Sequence, residues 1–318
     1  MAKYILKRIL FMILILLGVS LILYALVRCM PADYVEQMIT SNNQTEGLTE
    51  EKIAAMKAAY GLDTNIITGY FNWLGNALRL DFGESFIGHA PVAQEIFSAD
   101  KIGVSFLVAF VATVFEFMIA IPLGVTAATH QYSIRDYVIT VLVLIGISLP
   151  SFFFAQILKE LFANQLRWFS TGGVGQHGPT FYTMFLPILT VVILSIGGRM
   201  RLTRTNMLEV LNADYIRTAR AKGLKEYKVI YKHAFRNTLI PIVTGLAGLI
   251  PSLFSGAMIT EQVFSLPGIG KYALDAMMKG DIPVIMAYNM FLAFLSVLGV
   301  LLSDLMYGLV DPRVKLTA

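Results

Sequence analysis

The chain has 318 residues, of which 56% are hydrophobic and 14% charged, with 25 Lys and Arg against 21 Asp and Glu. Soluble domains carry about 25% charged residues, so this composition excludes an ordinary water-soluble fold. The single cysteine, Cys29, excludes an internal disulfide, and His89, His130, His177 and His233 lie too far apart for metal-ligand spacing.

A bilayer core about 30 Å thick needs roughly 20 apolar residues of helix. Six runs meet that need, at about Ile9 to Val27, Ile102 to Ala128, Tyr137 to Leu158, Phe181 to Gly198, Thr238 to Ile259 and Val284 to Leu305. The first exceeds the apolar core of a signal peptide. It ends in Arg28-Cys29-Met30-Pro31 without small residues for cleavage, so it is expected to stay as a span. Six spans put both ends of the chain on one side. That side collects 16 of the 25 basic residues, ten of them between Arg199 and Arg236, and is therefore expected to be cytoplasmic.

Between the spans, residues 31 to 98 form a polar extracytoplasmic region with an expected amphipathic helix at Thr49 to Tyr60, capped by Thr49 and stopped by Gly61. The segment from about 199 to 237 is the longest expected cytoplasmic loop. Asn212 or Asp214 can cap a helix running to Lys222, and Gly223 ends it. A second helix, about Lys225 to Phe235, places Tyr227, Ile230, Tyr231 and Ala234 at helical spacing. A basic surface alone would suit anionic lipid headgroups. Small Ala219 and Gly223 four residues apart add something lipid does not require, a place where a partner protein can approach the backbone.

Other features divide between structural and functional readings. Glu116 is the most membrane-embedded acid, either facing the translocation path or locking helices together. Asp304 and the Lys159-Glu160 pair lie near span ends, where structural pairing or snorkelling suits them. Pro122, Pro150, Pro187, Pro241 and Pro251 are either hinges or tolerated kinks. The string Pro267-Gly268-Ile269-Gly270-Lys271-Tyr272 is not a phosphate loop, because Tyr stands where the magnesium-binding hydroxyl belongs. A gradient-driven transporter would carry more mid-span charge than Glu116 alone.

The run from Met207 to Leu224, continuing through His233-Ala234-Phe235-Arg236-Asn237-Thr238-Leu239-Ile240-Pro241, resembles the coupling loop of binding-protein-dependent ABC permeases of the dipeptide/oligopeptide/nickel type. Asp81-Phe82-Gly83-Glu84-Ser85 with Pro91-Val92, Leu149-Pro150-Ser151-Phe152, Glu261 to Gly270 and Asp311-Pro312-Arg313 resemble the same group, so the likeness covers nearly the whole chain. One departure stands out. Aligned on Gly223, Arg217-Thr218-Ala219 occupies the place where the general loop has Glu-Ala-Ala.

The resemblance implies an all-α integral membrane protein of six transmembrane helices with the type I ABC importer permease fold and cytoplasmic coupling helices. Residues 1–30 would be the first transmembrane helix, 99–308 the transmembrane core and 309–318 a cytoplasmic tail. It implies import of oligopeptides or dipeptides across a prokaryotic cell membrane, with nickel or another small solute as the alternative. Docking to an ATPase would fall to Asp214, Tyr215, Arg217, Thr218, Ala219, Arg220, Ala221, Lys222 and Gly223. The implied partners are a second homologous permease, two cytoplasmic ATPases that bind ATP and magnesium, an extracytoplasmic binding protein, the peptide and membrane lipid. No cofactor is expected in this chain, no catalytic or metal site, and no nucleic acid.

Overall fold

A computed structural model describes residues 2–29, 64–88, 90–175 and 178–310. Among them every element is a helix, and Glu84 and Pro91 form an isolated antiparallel bridge. The expected helix at Thr49 to Tyr60 and the Asp311-Pro312-Arg313 terminus lie outside the described residues.

Helix α1 (Ala2–Arg28) precedes two short helices, α2 (Ile66–Leu78) and α3 (Val92–Ile96). The bundle then runs through α4 (Ala99–Thr129), α5 (Ile134–Ser148) and α6 (Ser151–Leu158), the last continued by a π-helical stretch over Lys159–Gln165. Next come α7 (Phe181–Leu211), α8 (Asp214–Ala221) and α9 (Glu226–Lys228), which passes into a π-helical turn, Val229–Ala234. Helix α10 (Phe235–Thr244) leads through a 3₁₀ turn, Gly245–Gly248, to α11 (Leu249–Ser255), α12 (Met258–Val263), α13 (Ile269–Lys279) and α14 (Ile282–Val310).

Among the described residues, four stretches are long and apolar enough to cross a membrane: Leu6–Arg28, Val92–Thr129, Phe181–Leu211 and Ile282–Asp304, the second including the short break between α3 and α4. The third expected span is not one helix. α5 and the α6 stretch meet at 98°, so they form a broken span or a re-entrant loop. Pro150 causes the break, because its ring pushes Leu149 out of the helical region, to φ −78° and ψ 128°. The fifth expected span is also interrupted, by the turn at Gly245–Gly248 and by Gly256 at φ +74°. Pro122 and Pro187 sit inside unbroken helices of 31 residues each, which matches tolerated kinks rather than breaks.

The scaffold is the contact between α4 and α7, the most extensive among the described helices. Small residues let these helices close. A Cβ on Gly124 would stand 2.7 Å from the Thr203 Cβ, and one on Gly197 would stand 2.4 Å from Ile147 of α5. In lipid, where apolar contact brings no hydrophobic gain, such close backbone approach supplies much of the association. α1 packs on the far side against α14, and Arg8 pairs with Asp304 at 3.1 Å, a structural role for that acid.

The segment between α2 and α3 is tied to the bundle by hydrogen bonds. Asp281, 2% exposed just ahead of α14, accepts bonds from the Ser85 hydroxyl at 2.5 Å and the Phe86 amide at 3.1 Å. The Lys159 ammonium donates to the Val263 carbonyl at 2.6 Å and so ties the π-helical stretch after α6 to α12.

Candidate coupling surface and the buried carboxylates

α7 does not stop at the apolar run but carries on to Leu211, so Arg199, Arg201 and Arg204 belong to the helix rather than to a loop. Asn212 closes α7, and Ala213, in an extended conformation at ψ 147°, is the N-cap of α8. Neither Asn212 nor Asp214 caps it. Asp214 sits in the first turn, where its charge complements the helix dipole.

α8 has one apolar side. Ile216 and Ala219 face the chain's own core and pack with Val125 and Ala128 of α4, Met207 of α7, and Val229 and Ala234 of the following turn. Ala219 is only 7% exposed. The expectation of a partner-facing pair, Ala219 with Gly223, is therefore corrected: Ala219 keys α8 onto α4 and α7, and its small size serves that internal contact. Gly223 is exposed at φ +74°, with open space where a Cβ would be. It is the left-handed residue that ends the helix, and its amide donates to the Arg220 carbonyl at 2.9 Å.

The second helix is corrected as well. The chain buries Val229 and Ala234 and leaves Tyr227 and Tyr231 at 72% and 48% exposed. The two buried positions are five apart in sequence, the i, i+5 spacing of the π-helical turn they occupy. Of the four residues that a 3.6-residue period puts on one face, Ala234 is buried and Ile230 packs against the same core, while Tyr227 and Tyr231 turn outward. Tyr227 and Tyr231 instead form an exposed aromatic pair with ring centroids 4.7 Å apart.

Outward, α8 and the next turn present Tyr215, Arg217, Thr218, Arg220, Ala221, Lys222 and Gly223 together with Leu224 and Tyr227. Arg220 clamps the turn by donating to Glu226, with Nη2 to Oε1 at 2.8 Å and Nε within 3.3 Å of both carboxylate oxygens. Those bonds, ahead of the opposing cost of partial burial, hold the Glu226 carboxyl below its ordinary value. Arg217 and Asp214 approach to 3.8 Å while both stay in solvent. Behind the surface, Asn237 donates to the Tyr215 hydroxyl at 3.2 Å, and buried Thr238 donates to the Ala234 carbonyl at 3.1 Å. The segment is thus braced at both ends.

Glu116 is in an ion pair. Arg199 Nε lies 3.0 Å from Glu116 Oε1, and the guanidinium also sits 4.4 Å from the Phe117 ring centroid. Two further buried acids carry structure that the sequence left without a role. Asp136 receives Arg204 in a two-pronged pair, at 2.9 and 2.8 Å, joining α5 to α7. Glu261, 0% exposed, accepts from the Ser105 hydroxyl at 2.7 Å and from the amides of Ala257 and Lys271 at 3.1 and 2.8 Å. The Glu261 to Gly270 motif thereby folds back on its own first residue. A Cβ at Gly268 would stand 2.3 Å from a Glu261 oxygen.

Comparison with known proteins accords with this arrangement. Residues 120–316 match the family described as "Binding-protein-dependent transport system inner membrane component", and residues 1–126 match its N-terminal companion, "Binding-prot-dependent transport system membrane comp, N-term". The chain is 38% identical over 324 residues to the oligopeptide transport system permease protein AppB of Bacillus subtilis, covering 99% of this chain and 100% of that one. It is 34% identical to the dipeptide transport system permease protein DppB of the same organism and to a putative peptide transport system permease protein of Brucella abortus, each over 99% of both chains. Among solved structures, a chain of the MetNI methionine ABC transporter in an inward-facing form shares the fold with a TM-score of 0.50 at 16% identity, covering 66% of this chain and 94% of that one. With α8 keyed to a bundle of this fold and both parts of the family matched from end to end, the chain belongs to the binding-protein-dependent transport system inner membrane components.

Proposed function

We propose that this permease forms half of the translocation pathway of an ATP-driven importer for dipeptides or oligopeptides, crossing the membrane six times with both termini in the cytoplasm. The substrate class follows the AppB and DppB relatives. The partners are a second homologous permease, an extracytoplasmic binding protein and two ATPase subunits, which bind the ATP and magnesium that this chain does not.

The observation that carries the coupling role is the two-sidedness of α8. Its outer side offers exposed aromatics and cations to an ATPase groove, while Ile216 and Ala219 are locked against Met207, Val125 and Ala128. A push on the outer side therefore reaches α4 and α7 through packed side chains, and reaches α10 through Ala234 and Thr238. Packed contacts transmit displacement because interiors have low compressibility, and a rigid-body shift of α4 and α7 would switch access to the path. Tyr215 and Tyr227 are the expected anchors, since exposed tyrosines supply large contact area at low entropy cost.

The test is reconstitution of the two permeases with their ATPases and binding protein in vesicles. Tyr227→Ala combined with Arg217→Glu should leave membrane insertion unchanged while ATPase co-purification and ATP-dependent peptide uptake fall together. Uptake that persists without ATP or without the binding protein would overturn the assignment.

A further inference from the structure

At the α8 end of the bundle, the ends of α5 and α7 enclose a cleft of about 380 Å³ lined by Tyr132, Asp136, Tyr137, Arg201, Arg204 and Thr205, among others. The coupling surface does not use it. Arg201, Arg204 and Thr205 follow helical spacing of three and four, which places them on one face of α7.

The charges in the cleft do not cancel. Both Asp136 oxygens are occupied by Arg204, and Oδ2 also accepts from the Tyr132 amide at 3.1 Å. That bond holds Tyr132 at φ +62°, a conformation non-glycine residues seldom adopt. The neighbouring Arg135 leans on His130, with its Nη1 3.3 Å from the ring. Arg201 is exposed and has no hydrogen bond or ion pair among the described residues, and Arg204 keeps Nη1 free among them. The cleft therefore presents one uncompensated guanidinium beside the hydroxyls of Tyr137 and Thr205.

Its depth is set by helix geometry. Phe181 and Tyr182 stand exposed at the other end of α7, 66% and 64%, as interfacial aromatics do. Arg201 is twenty residues further on, about 30 Å at 1.5 Å per residue, the thickness of the hydrocarbon core. Arg201 and Arg204 thus lie at headgroup level. Beside them α5 turns Val138, Val141, Leu142 and Ile145 outward, each more than half exposed, as a surface for acyl chains.

We propose that this cleft binds the phosphate of an anionic phospholipid, with Arg201 as the principal contact, Arg204 oriented by Asp136 as the second, and the exposed face of α5 holding the chains. Phosphatidylcholine, whose headgroup carries its own cation, is disfavoured.

The test uses the assembled complex in detergent, incubated separately with phosphatidylglycerol, phosphatidylcholine and inorganic phosphate, with bound molecules counted by native mass spectrometry. Phosphatidylglycerol should be retained about tenfold over phosphatidylcholine, the size of one charge-assisted contact. Arg201→Gln should abolish the preference and Arg201→Lys should keep part of it, each variant being compared in complexes of unchanged composition. Equal retention of the two lipids, or a preference that survives Arg201→Gln, would overturn the proposal. Binding of inorganic phosphate without any lipid preference would overturn the lipid assignment. These outcomes do not depend on ATPase docking, so a failure here leaves the coupling role standing.

Discussion

Arg199 and Glu116 meet at 3.0 Å between α7 and α4, with their side chains only 14% and 10% exposed. A pair this deep contributes little over an apolar one, but losing one partner strands the other charge. Glu116→Ala should therefore destabilise the permease by about 3–5 kcal/mol, while Glu116→Leu with Arg199→Met should recover most of that loss. Thermal unfolding of the solubilised protein measures both. If the single and double variants unfold alike, the pair does not lock these helices, and Glu116 is open to a role in the translocation path.

Ala219 and Gly223 should respond differently to enlargement. Ala219→Leu forces three carbons into the contact with Met207 and Val125 and should cost about 1–3 kcal/mol by overpacking. Gly223→Val should cost about 1–2 kcal/mol through its left-handed backbone alone, and Gly223→Asn much less. ATPase co-purification should follow the same order, with Asn at 223 close to wild type. If Gly223→Asn fails as badly as Gly223→Val, bulk at the partner interface governs this position and not backbone conformation.

Much of this organisation was legible in the sequence. The apolar runs located α1, α4, α7 and α14, and the α8 helix with its Gly223 stop was readable from charge and breaker residues, though not its cap. Three things were not. Pro150 announced a break, but the 98° turn depends on where α6 finds its partners. The π-helical turn at Val229–Ala234 buries Val229 with Ala234 and leaves Tyr227 and Tyr231 outside, because a 3.6-residue period assumes regular α-helix. The roles of Asp136 and Glu261 depend on Arg204, 68 positions away, and Ser105, 156 away. Pairings at such separations exist only once the helices have packed.

The Arg220–Glu226 clamp gives the coupling turn a pH dependence. Glu226 is held below its ordinary value of 4.5 by its bonds from Arg220. A depressed carboxyl contributes stability above its unfolded value and loses it as pH falls through the folded one. A spin label at Lys225, in a chain with Cys29 replaced by Ser, should be restrained at pH 7 and loosen below about pH 4.5. Glu226→Gln should be looser at pH 7 and flat through the same range. A transition of equal size in the Gln variant would place the titrating group elsewhere.

Glu261 makes the most demanding prediction, because glutamine should not replace it. Its carboxylate accepts from one hydroxyl and two amides, with bonds on both oxygens. A glutamine has one oxygen and one NH₂, and the NH₂ would meet donors on either side. Glu261→Gln should therefore lose about 1–3 kcal/mol, the cost of a buried donor left unpaired, and Glu261→Ala more, since it strands three. Ser105→Ala removes a donor and leaves unpaired only the Ile269 amide, which donates to the hydroxyl at 2.9 Å, so it should be milder than either. Unfolding midpoints falling in the order Ser105→Ala, Glu261→Gln, Glu261→Ala would support the acceptor role. A glutamine variant as stable as wild type would mean that the Glu261 to Gly270 fold does not depend on a carboxylate at its centre.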